Sequence, residues 1–386
     1  MPYVVTYKPK KGKEISLDQI LFSEENEKHS SRSRRYPGTV TRYYDSLPND
    51  LYTDDDVRRL KAKISDLPHM SCWRPKDIRS QYKIFTIPKR SGGVRTICAP
   101  HAQLYDDQVK LRSLFQNDFS ALYHATAFAY CKNRNIKNCI QRHQANQSRW
   151  FLKIDFENFF GNTNKAFVMR QLEKIVPFSE VMKDQNGREL ISKAIDICFL
   201  DGGLPQGTPI SPMLTNLVMI PFDHELNKLL CKRGFVYTRY ADDIQISHRD
   251  KFSPSEIISI IRTVLREQNM PYRIKSEKTR FGSSSGRNWN LGLMLNNENH
   301  ITIGHEEHKR MKARVHSFAM DEMNNHLWSN EDVQRLAGQL SYFESIEPQQ
   351  AQRIIFSINK KLDIDFNSMI RKALKQNLRI QSYKRL

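Results

Sequence analysis

The sequence predicts an α+β fold, and three features carry that reading. Short β-prone runs rich in branched and aromatic residues occur at 82–97, 151–155 and 235–247. The stretches between them show the 3–4-residue apolar spacing of helices. Residues 305–386 are mostly helical in pattern, with basic and polar faces, and read as a helical C-terminal lobe.

Residues 8–50 are polar and turn-rich, and His29-Ser30-Ser31-Arg32-Ser33-Arg34-Arg35 reads as a flexible basic arm. Asp54-Asp55-Asp56 precede Val57-Arg58-Arg59-Leu60, which puts acids at the positive end of a helix dipole. Residues 82–97 alternate around Ser91-Gly92-Gly93, the mark of a hairpin tip. Residues 103–122 read as helix, with Leu104, Val109, Leu111, Leu114 and Phe115 as apolar candidates. Residues 151–155 form a short apolar strand that ends in an acid. Residues 164–175 and 189–200 have helical spacing, as do 254–268 through Ile257, Ile258, Ile261 and Leu265. Residues 235–247 read as two strands around a tight acidic turn.

Composition narrows the function. The chain carries 61 Lys and Arg against 42 Asp and Glu, a formal charge of +19, with a hydrophobic fraction of 39% and a mean hydropathy of −0.64. These values exclude a membrane span, a collagen-like chain and bulk disorder. The N-terminus shows no apolar secretory segment. The six cysteines include no C-x-x-C pair, so reduced cytoplasmic thiols are expected rather than a disulfide frame or a structural zinc. The charge is uneven. Residues 57–150 hold 18 basic and 5 acidic side chains, interleaved with aromatics as in Trp73-Arg74, Tyr82-Lys83, Tyr130-Cys131-Lys132 and Arg149-Trp150. Such a stretch suits phosphate neutralisation and base stacking, and equally a solvated basic surface.

The sharpest chemical signal is acidic. Asp155 ends the run Phe151-Leu152-Lys153-Ile154, and Asp242-Asp243 sit between Phe235–Tyr240 and Ile244–Ser247. Adjacent carboxylates repel unless a cation compensates. If the Asp155 strand packs beside the hairpin, Asp155 and Asp242 converge. Carboxylates are hard oxygen ligands suited to Mg²⁺. Two such ions about 4 Å apart can activate an attacking hydroxyl and stabilise a leaving pyrophosphate. Alone, Asp242-Asp243 also fits an ordinary turn with two solvated acids.

Six motifs, all in family order along the chain, carry a family resemblance. Tyr240-Ala241-Asp242-Asp243 resembles the Y-x-D-D box of reverse transcriptases, and Asp155 with Phe159-Phe160 resembles their first palm motif. Gly203-Leu204-Pro205-Gln206-Gly207 through Ser211-Pro212 and on to Asn216-Leu217 resembles the L-P-Q-G-x-x-x-S-P motif of the bacterial enzymes. Ile87-Pro88-Lys89-Arg90, followed by Arg95-Thr96-Ile97 and Pro100, resembles the fingers motif of retron and group II intron enzymes. Ser276-Glu277-Lys278-Thr279 and Asn290–Leu293 sit where the later palm motifs belong. The resemblance covers residues 80 to 345.

That resemblance implies a right-handed polymerase fold with fingers, a palm built on antiparallel sheet and a helical thumb. The implied division is an N-terminal extension at 1–56, fingers at 57–150, palm at 151–303 and thumb at 304–386, with no nuclease or maturase module after the thumb. It implies that Asp155 and Asp242 hold two Mg²⁺ ions (Mn²⁺ as the alternative ion), with Asp243 in support. Phe160 would lie under the sugar and select deoxynucleotides. Lys89 and Arg95 would clamp the triphosphate, Arg through its bidentate fork. Gln206 and Gly207 would position the templating base and nucleotide, and Pro212 would open a helix with Leu214, Leu217 and Val218 on its buried face. Lys278 would bind phosphate or assist proton transfer. Asn290–Leu295 would form the primer grip. Arg134, Lys137 and Arg142 in the fingers, and Lys309, Arg310, Lys312 and Arg314 in the thumb, would contact nucleic acid.

Two motifs point elsewhere. His305-Glu306-Glu307-His308 lacks the H-E-x-x-H spacing of zinc proteases. Asn138 and His143 resemble the retron N-A-x-x-H signature with one extra residue, and Asn290-Leu291-Gly292 stands in place of V-T-G. These departures resemble the related bacterial reverse transcriptases of antiphage defence. The implied activity is RNA-directed synthesis of cDNA on a dedicated noncoding RNA, with dNTPs as substrates, a DNA product, no membrane partner and an oligomer formed with RNA. The alternatives are an idle RNA-binding scaffold and a mobile-element enzyme.

Overall fold

The alternating run at 82–97 forms a hairpin of Tyr82–Pro88 (β1) and Val94–Pro100 (β2), paired antiparallel from Tyr82↔Pro100 to Pro88↔Val94. Gly92 and Gly93 both have positive φ at its tip, where glycine carries no steric cost. The computed structural model describes residues 58–59, 61–63, 78–89, 92–117, 123–131, 133–175, 178–284, 291–326 and 328–383, with side chains as far as 375. The basic arm at 29–35, the triplet Asp54–Asp56, Cys72, Trp73-Arg74, Arg90, Ser91, Lys132 and Asn290 lie outside the described residues. The chain divides into two compact units, Met1–Ser283 and Ser284–Leu386.

In the first unit, helix Ala102–Asn117 (α1) buries Leu104, Leu111, Leu114 and Phe115. Ile136–Ala145 (α2) begins with a reciprocal capping box between Asn135 and Asn138. Then come Trp150–Asp155 (β3), Phe159–Asn162 (α3), Lys165–Leu172 (α4), Phe178–Val181 (α5) and Gln185–Ile195 (α6). Ser211–Val218 (α7) and Ile220–Cys231 (α8) each carry Pro in the first turn, where its missing N–H costs nothing. The α7 helix is buried on nearly every side, with Met213, Thr215 and Asn216 enclosed as fully as Leu214, Leu217 and Val218.

Val236–Tyr240 (β4) and Asp243–His248 (β5) form the acidic hairpin. Pro254–Glu267 (α9) buries Ile257, Ile261, Val264 and Leu265, one stripe at helical spacing. Arg280–Ser283 (β6) completes an antiparallel sheet ordered β4-β5-β3-β6. β3 lies inside this sheet between β5 and β6, so its Leu152 and Ile154 are fully enclosed. That position explains the mostly apolar run, broken only by Lys153, that ends in Asp155.

The second unit holds a short ladder of Met294–Leu295 (β7) and Ile301–Thr302 (β8). Four helices follow: His305–Met323 (α10), Asn330–Ile346 (α11), Pro348–Leu362 (α12) and Phe366–Tyr383 (α13). Its own core gathers Val315, Phe318, Leu336, Phe343, Ile358 and Phe366. The α+β expectation holds, with antiparallel sheet in the first unit and helices dominating the second.

Candidate active site

The register of the sheet places the acids. β3 pairs antiparallel with β5 so that Asp155 lies directly opposite Asp243, and Tyr240 pairs with Asp243 across the β4–β5 hairpin. Ala241 and Asp242 are therefore the two loop residues. Ala241 has φ 58°, at the turn position where glycine is ordinarily found. Asp242 and Asp155 lie within hydrogen-bonding reach of each other. Burial, then Asp155, then Asp243 push the Asp242 carboxyl up to about 6. Burial raises Asp243 too, opposed by Lys153.

Two lysines partly balance these charges. Lys278 Nζ lies 2.6 Å from Asp155 Oδ2, and Lys153 Nζ lies 3.0 Å from Asp243 Oδ1. Lys153 stands two residues before Asp155 on the same face of β3, which is why it reaches the strand opposite. Hydrogen bonding to Asp155 raises the Lys278 ammonium above its usual range.

Among the described residues, no three or more His, Cys, Asp or Glu are gathered closely enough to hold a metal ion by themselves. The carboxylates at 155, 242 and 243 offer hard oxygens for part of a shell. Mg²⁺ usually takes the remainder from water and substrate phosphates. Burial, with repulsion from Asp155 and Asp243 added to it, raises Asp242, and a divalent cation would relieve that repulsion, so these carboxylates fit part of the shell of such an ion.

Asp155 and Asp242 line a cleft of about 890 Å³ in the first unit. Its walls also carry Lys89, Arg95, Phe160, Gln206, Gly207 and Lys278, so most residues singled out for nucleotide handling share one cavity. Asp243 does not line it. Cys98 N donates to Gln206 O at 2.7 Å, which docks the Gln206-Gly207 loop on β2. Gly207 has φ +105°, and an added Cβ would meet Ile97 Cγ2 at 2.6 Å. Phe160 rests on an aromatic stack: its ring lies edge-on to Phe159 at 5.7 Å, and Phe159 lies 4.8 Å from Tyr272. Tyr272 in turn stacks on Phe156 at 5.4 Å and shares a 2.8 Å hydrogen bond with Thr163. The carbonyl of Phe160 accepts from Leu204 N at 3.0 Å, which ties the ring's backbone to the Gln206 loop.

Three lining residues escaped the sequence reading, Phe156, Asn158 and Lys275, and a fourth, Tyr130, was noted only as one of the aromatics within the basic stretch. Tyr130 and Asn158 have positive φ, which no local sequence rule marked. Lys275 N donates to Asp155 O at 2.8 Å and extends the pairing beyond the end of β3.

One expected nucleic-acid contact needs correction, and a second is turned partly inward. Arg142 is buried: Nη1 donates to Ala125 O at 3.0 Å and the guanidinium lies over Phe128 at 5.9 Å. Arg134 is half-buried and clamps the same loop, with Nη1 2.6 Å from both His124 O and Ala127 O. Both arginines satisfy inward-facing carbonyls of an irregular segment, which must find donors once buried. Lys137 is half-buried on α2. On α10, Lys309, Arg310 and Lys312 are exposed; Arg310 pairs with Glu307 and the half-buried Arg314 contacts Gln339.

The remaining motifs resolve as structure. His308 Nε2 lies 2.9 Å from Glu347 Oε2, which also accepts from Ile303 N at 2.7 Å. Asn138 caps α2, and buried His143 bridges Ser247 Oγ at 2.6 Å and Thr238 Oγ1 at 2.8 Å, joining α2 to both hairpin strands. Cys98, Cys131, Cys139, Cys198 and Cys231 are free thiols. Among the described residues, no helix is long and apolar enough to cross a membrane.

Comparison with known proteins gives the family. The profile of the family described as reverse transcriptase (RNA-dependent DNA polymerase) matches residues 87–313. The chain is 30% identical over 277 residues to the retron Ec73 reverse transcriptase of Escherichia coli, covering 69% of this chain and 83% of that one. It is 28% identical over 316 residues to the retron Mx65 reverse transcriptase of Myxococcus xanthus, covering 78% and 70%. Among solved structures, apo telomerase from Candida Tropicalis aligns at a TM-score of 0.45 and 12% identity, over 79% of this chain and 64% of that one.

Proposed function

This chain belongs to the reverse transcriptase (RNA-dependent DNA polymerase) family, as a retron-type RNA-directed DNA polymerase, and from that premise we propose that it copies a dedicated noncoding RNA into cDNA in antiphage defence. The observation that carries the site assignment is the register that sets Asp155 against Asp243, together with the cleft that Asp155 shares with Asp242, Lys89, Arg95 and Phe160.

In this reading Asp155 and Asp242 would hold two Mg²⁺ ions, with Asp243, itself paired with Lys153, in support. The ions, when bound, lower the pKa of the attacking hydroxyl and offset charge on the phosphates. Lys89 and Arg95 grip the triphosphate of a dNTP, and Gln206 and Gly207 align its base with the template. The primer 3′-oxygen attacks the α-phosphorus, the bond to the β-phosphate breaks, and pyrophosphate leaves. The hydroxyl proton passes to solvent, and Lys278 stands at Asp155 as a donor to the departing pyrophosphate. Phe160, braced by Phe159 and Tyr272, occupies the space a 2′-hydroxyl would need.

The assignment of fingers to 57–150, palm to 151–303 and thumb to 304–386 belongs to the same proposal. So do RNA contacts by Lys137 and the basic face of α10, association of copies through RNA, and a cytoplasmic site of action. The defence role rests on the altered spacing of Asn138 and His143 and on Leu291-Gly292 replacing the retron signature.

The test is to purify the protein from a bacterial host with its flanking DNA, then sequence the co-purifying RNA and any cDNA. One enriched structured RNA and a complementary cDNA, both cDNA and phage protection lost in Asp242→Asn, support the proposal. RNA bound without cDNA in the wild type would instead support a scaffold.

A further inference from the structure

Arg239 is the largest wholly enclosed side chain in the described structure, and it sits two residues before the acidic turn. Burying a guanidinium is costly unless every donor is met. Here one side of the fork faces the enclosed carboxylate of Asp223 on α8: Nη2 donates to Oδ2 at 2.7 Å and Nε to Oδ1 at 2.9 Å. Tyr237 donates its hydroxyl to the same Oδ1 at 2.6 Å.

The remaining arm points to the site. Nη1 donates at 3.1 Å to Asn216 Oδ1 on α7 and at 3.1 Å to the carbonyl of Ala241. Asn216 is itself anchored, donating to Ala129 O at 2.7 Å. The Arg239 backbone is held as well, through Thr126 O and Phe128 N. One planar cation thus ties α7, α8 and the 126–129 segment to the residue preceding Asp242. Ala241 needs this support because its φ of 58° is unfavourable for a residue with a Cβ. An apolar trio would fill the same space at similar or greater stability, so the fork's particular yield is direction: it fixes where the Ala241 carbonyl points and hence where Asp242 sits.

We propose that Arg239 is a positioning residue for the polymerase reaction, holding the Ala241-Asp242 turn in its cation-binding shape through Nη1 while Asp223 fixes the guanidinium. This rests on the reading of Asp242 as a metal ligand. Lysine at 239 keeps the charge opposite Asp223 but has no second arm for Ala241.

The test compares wild-type protein with Arg239→Lys, the double variant Arg239→Lys/Ala241→Gly, and Asp242→Asn. Arg239→Lys should melt cooperatively and lower kcat on the order of tenfold to a hundredfold, the usual penalty for a slightly misplaced group. The dNTP KM should stay near wild type and the half-saturating Mg²⁺ concentration should rise. In metal-free protein, hydrogen exchange should quicken across 238–246 and stay unchanged in α4. Glycine accepts positive φ freely, so the double variant should recover part of the lost kcat, which it would not do if Arg239 served the core alone. Wild-type kcat in Arg239→Lys, or loss without recovery in the double variant, overturns the proposal. Should Arg239→Lys not fold, Asn216→Ser decides: it leaves the ion pair intact and removes the oxygen that steers Nη1. A several-fold loss of kcat without loss of cooperative melting supports the role, and wild-type kcat overturns it. An active Asp242→Asn protein would overturn the metal reading beneath it. An inactive one beside a fully active Arg239→Lys overturns the positioning role alone.

Discussion

Gly207→Ala is the most demanding test of how the cleft is built, because the structure supplies its own control. At Gly207 two costs coincide. The backbone has φ +105°, outside the left-handed helical basin and nearly closed to residues with a Cβ, a strain of about 1–3 kcal/mol. The new Cβ would also stand 2.6 Å from Ile97 Cγ2 and 3.3 Å from Cys98 O. Ile is stiff at χ1 and cannot swing aside, so overpacking adds about 1–3 kcal/mol. Gly202 has φ +83° and nothing within 4 Å of an added Cβ. Gly202→Ala therefore carries the backbone strain alone, about 1–2 kcal/mol. The two strains largely overlap, so a larger loss in Gly207→Ala reports chiefly the contact with β2. That contact is functional, since the Cys98 N to Gln206 O bond of 2.7 Å must stretch if the loop lifts. Gly207→Ala should melt earlier than Gly202→Ala and lower kcat/KM for dNTP on the order of a hundredfold, as a group displaced by about 1 Å does. The assay is single-nucleotide extension on an RNA template beside a circular-dichroism melt. Matching melts and a wild-type dNTP KM in Gly207→Ala would refute the claim that this glycine permits the docking of Gln206.

Asp242→Asn should abolish primer extension while the metal-free melting temperature holds or rises, because a neutral amide removes repulsion from Asp155; a fall in stability by calorimetry would count against the geometry. Phe160→Ala should raise ribonucleotide use, read as the ratio of kcat/KM for rNTP and dNTP, and an unchanged ratio would remove the gate assignment. The pH dependence has a definite sign. The folded carboxyl of Asp242 is raised to about 6 from the ordinary aspartate range, so the folded state binds this proton more tightly than the unfolded chain. Its contribution is most favourable at low pH and is lost as pH rises through about 6. Metal-free protein should therefore lose stability between pH 5 and 7 relative to Asp242→Asn, and saturating Mg²⁺ should cancel that loss. For the same reason the Mg²⁺ concentration that half-saturates activity should climb as pH falls below about 6.

The sheet was legible because its residues obey local rules. Phe151-Leu152-Lys153-Ile154-Asp155 is a strand buried on both faces, with its acid at the open end. Tyr240↔Asp243 closes a two-residue loop, as the β-prone runs on either side required. The aromatic support of Phe160 was not legible. Tyr272 lies more than a hundred residues from Phe159, and only the fold brings their rings to 4.8 Å. Positive φ at Tyr130 and Ala241 was hidden because neither residue type favours it locally.

Arginine was read least well, and the cause is general. The excess positive charge of residues 57–150 suggested an outward basic surface, yet Arg142 and Arg134 turn inward to backbone carbonyls. A guanidinium has five donors and no acceptor, so it serves a buried loop as readily as a phosphate. The sequence did hold a discriminating sign. Arg142 lies on the helical face of Cys139 and His143, three residues after one and beside the other, and that face is buried. Arg239 stands among Val236, Tyr237 and Thr238, in a strand with no polar alternation to mark a solvent face. A charge inside such a run must either break the strand or be fully paired. That inference was available from residues 235–243 alone, and it points to the same segment that carries Asp242.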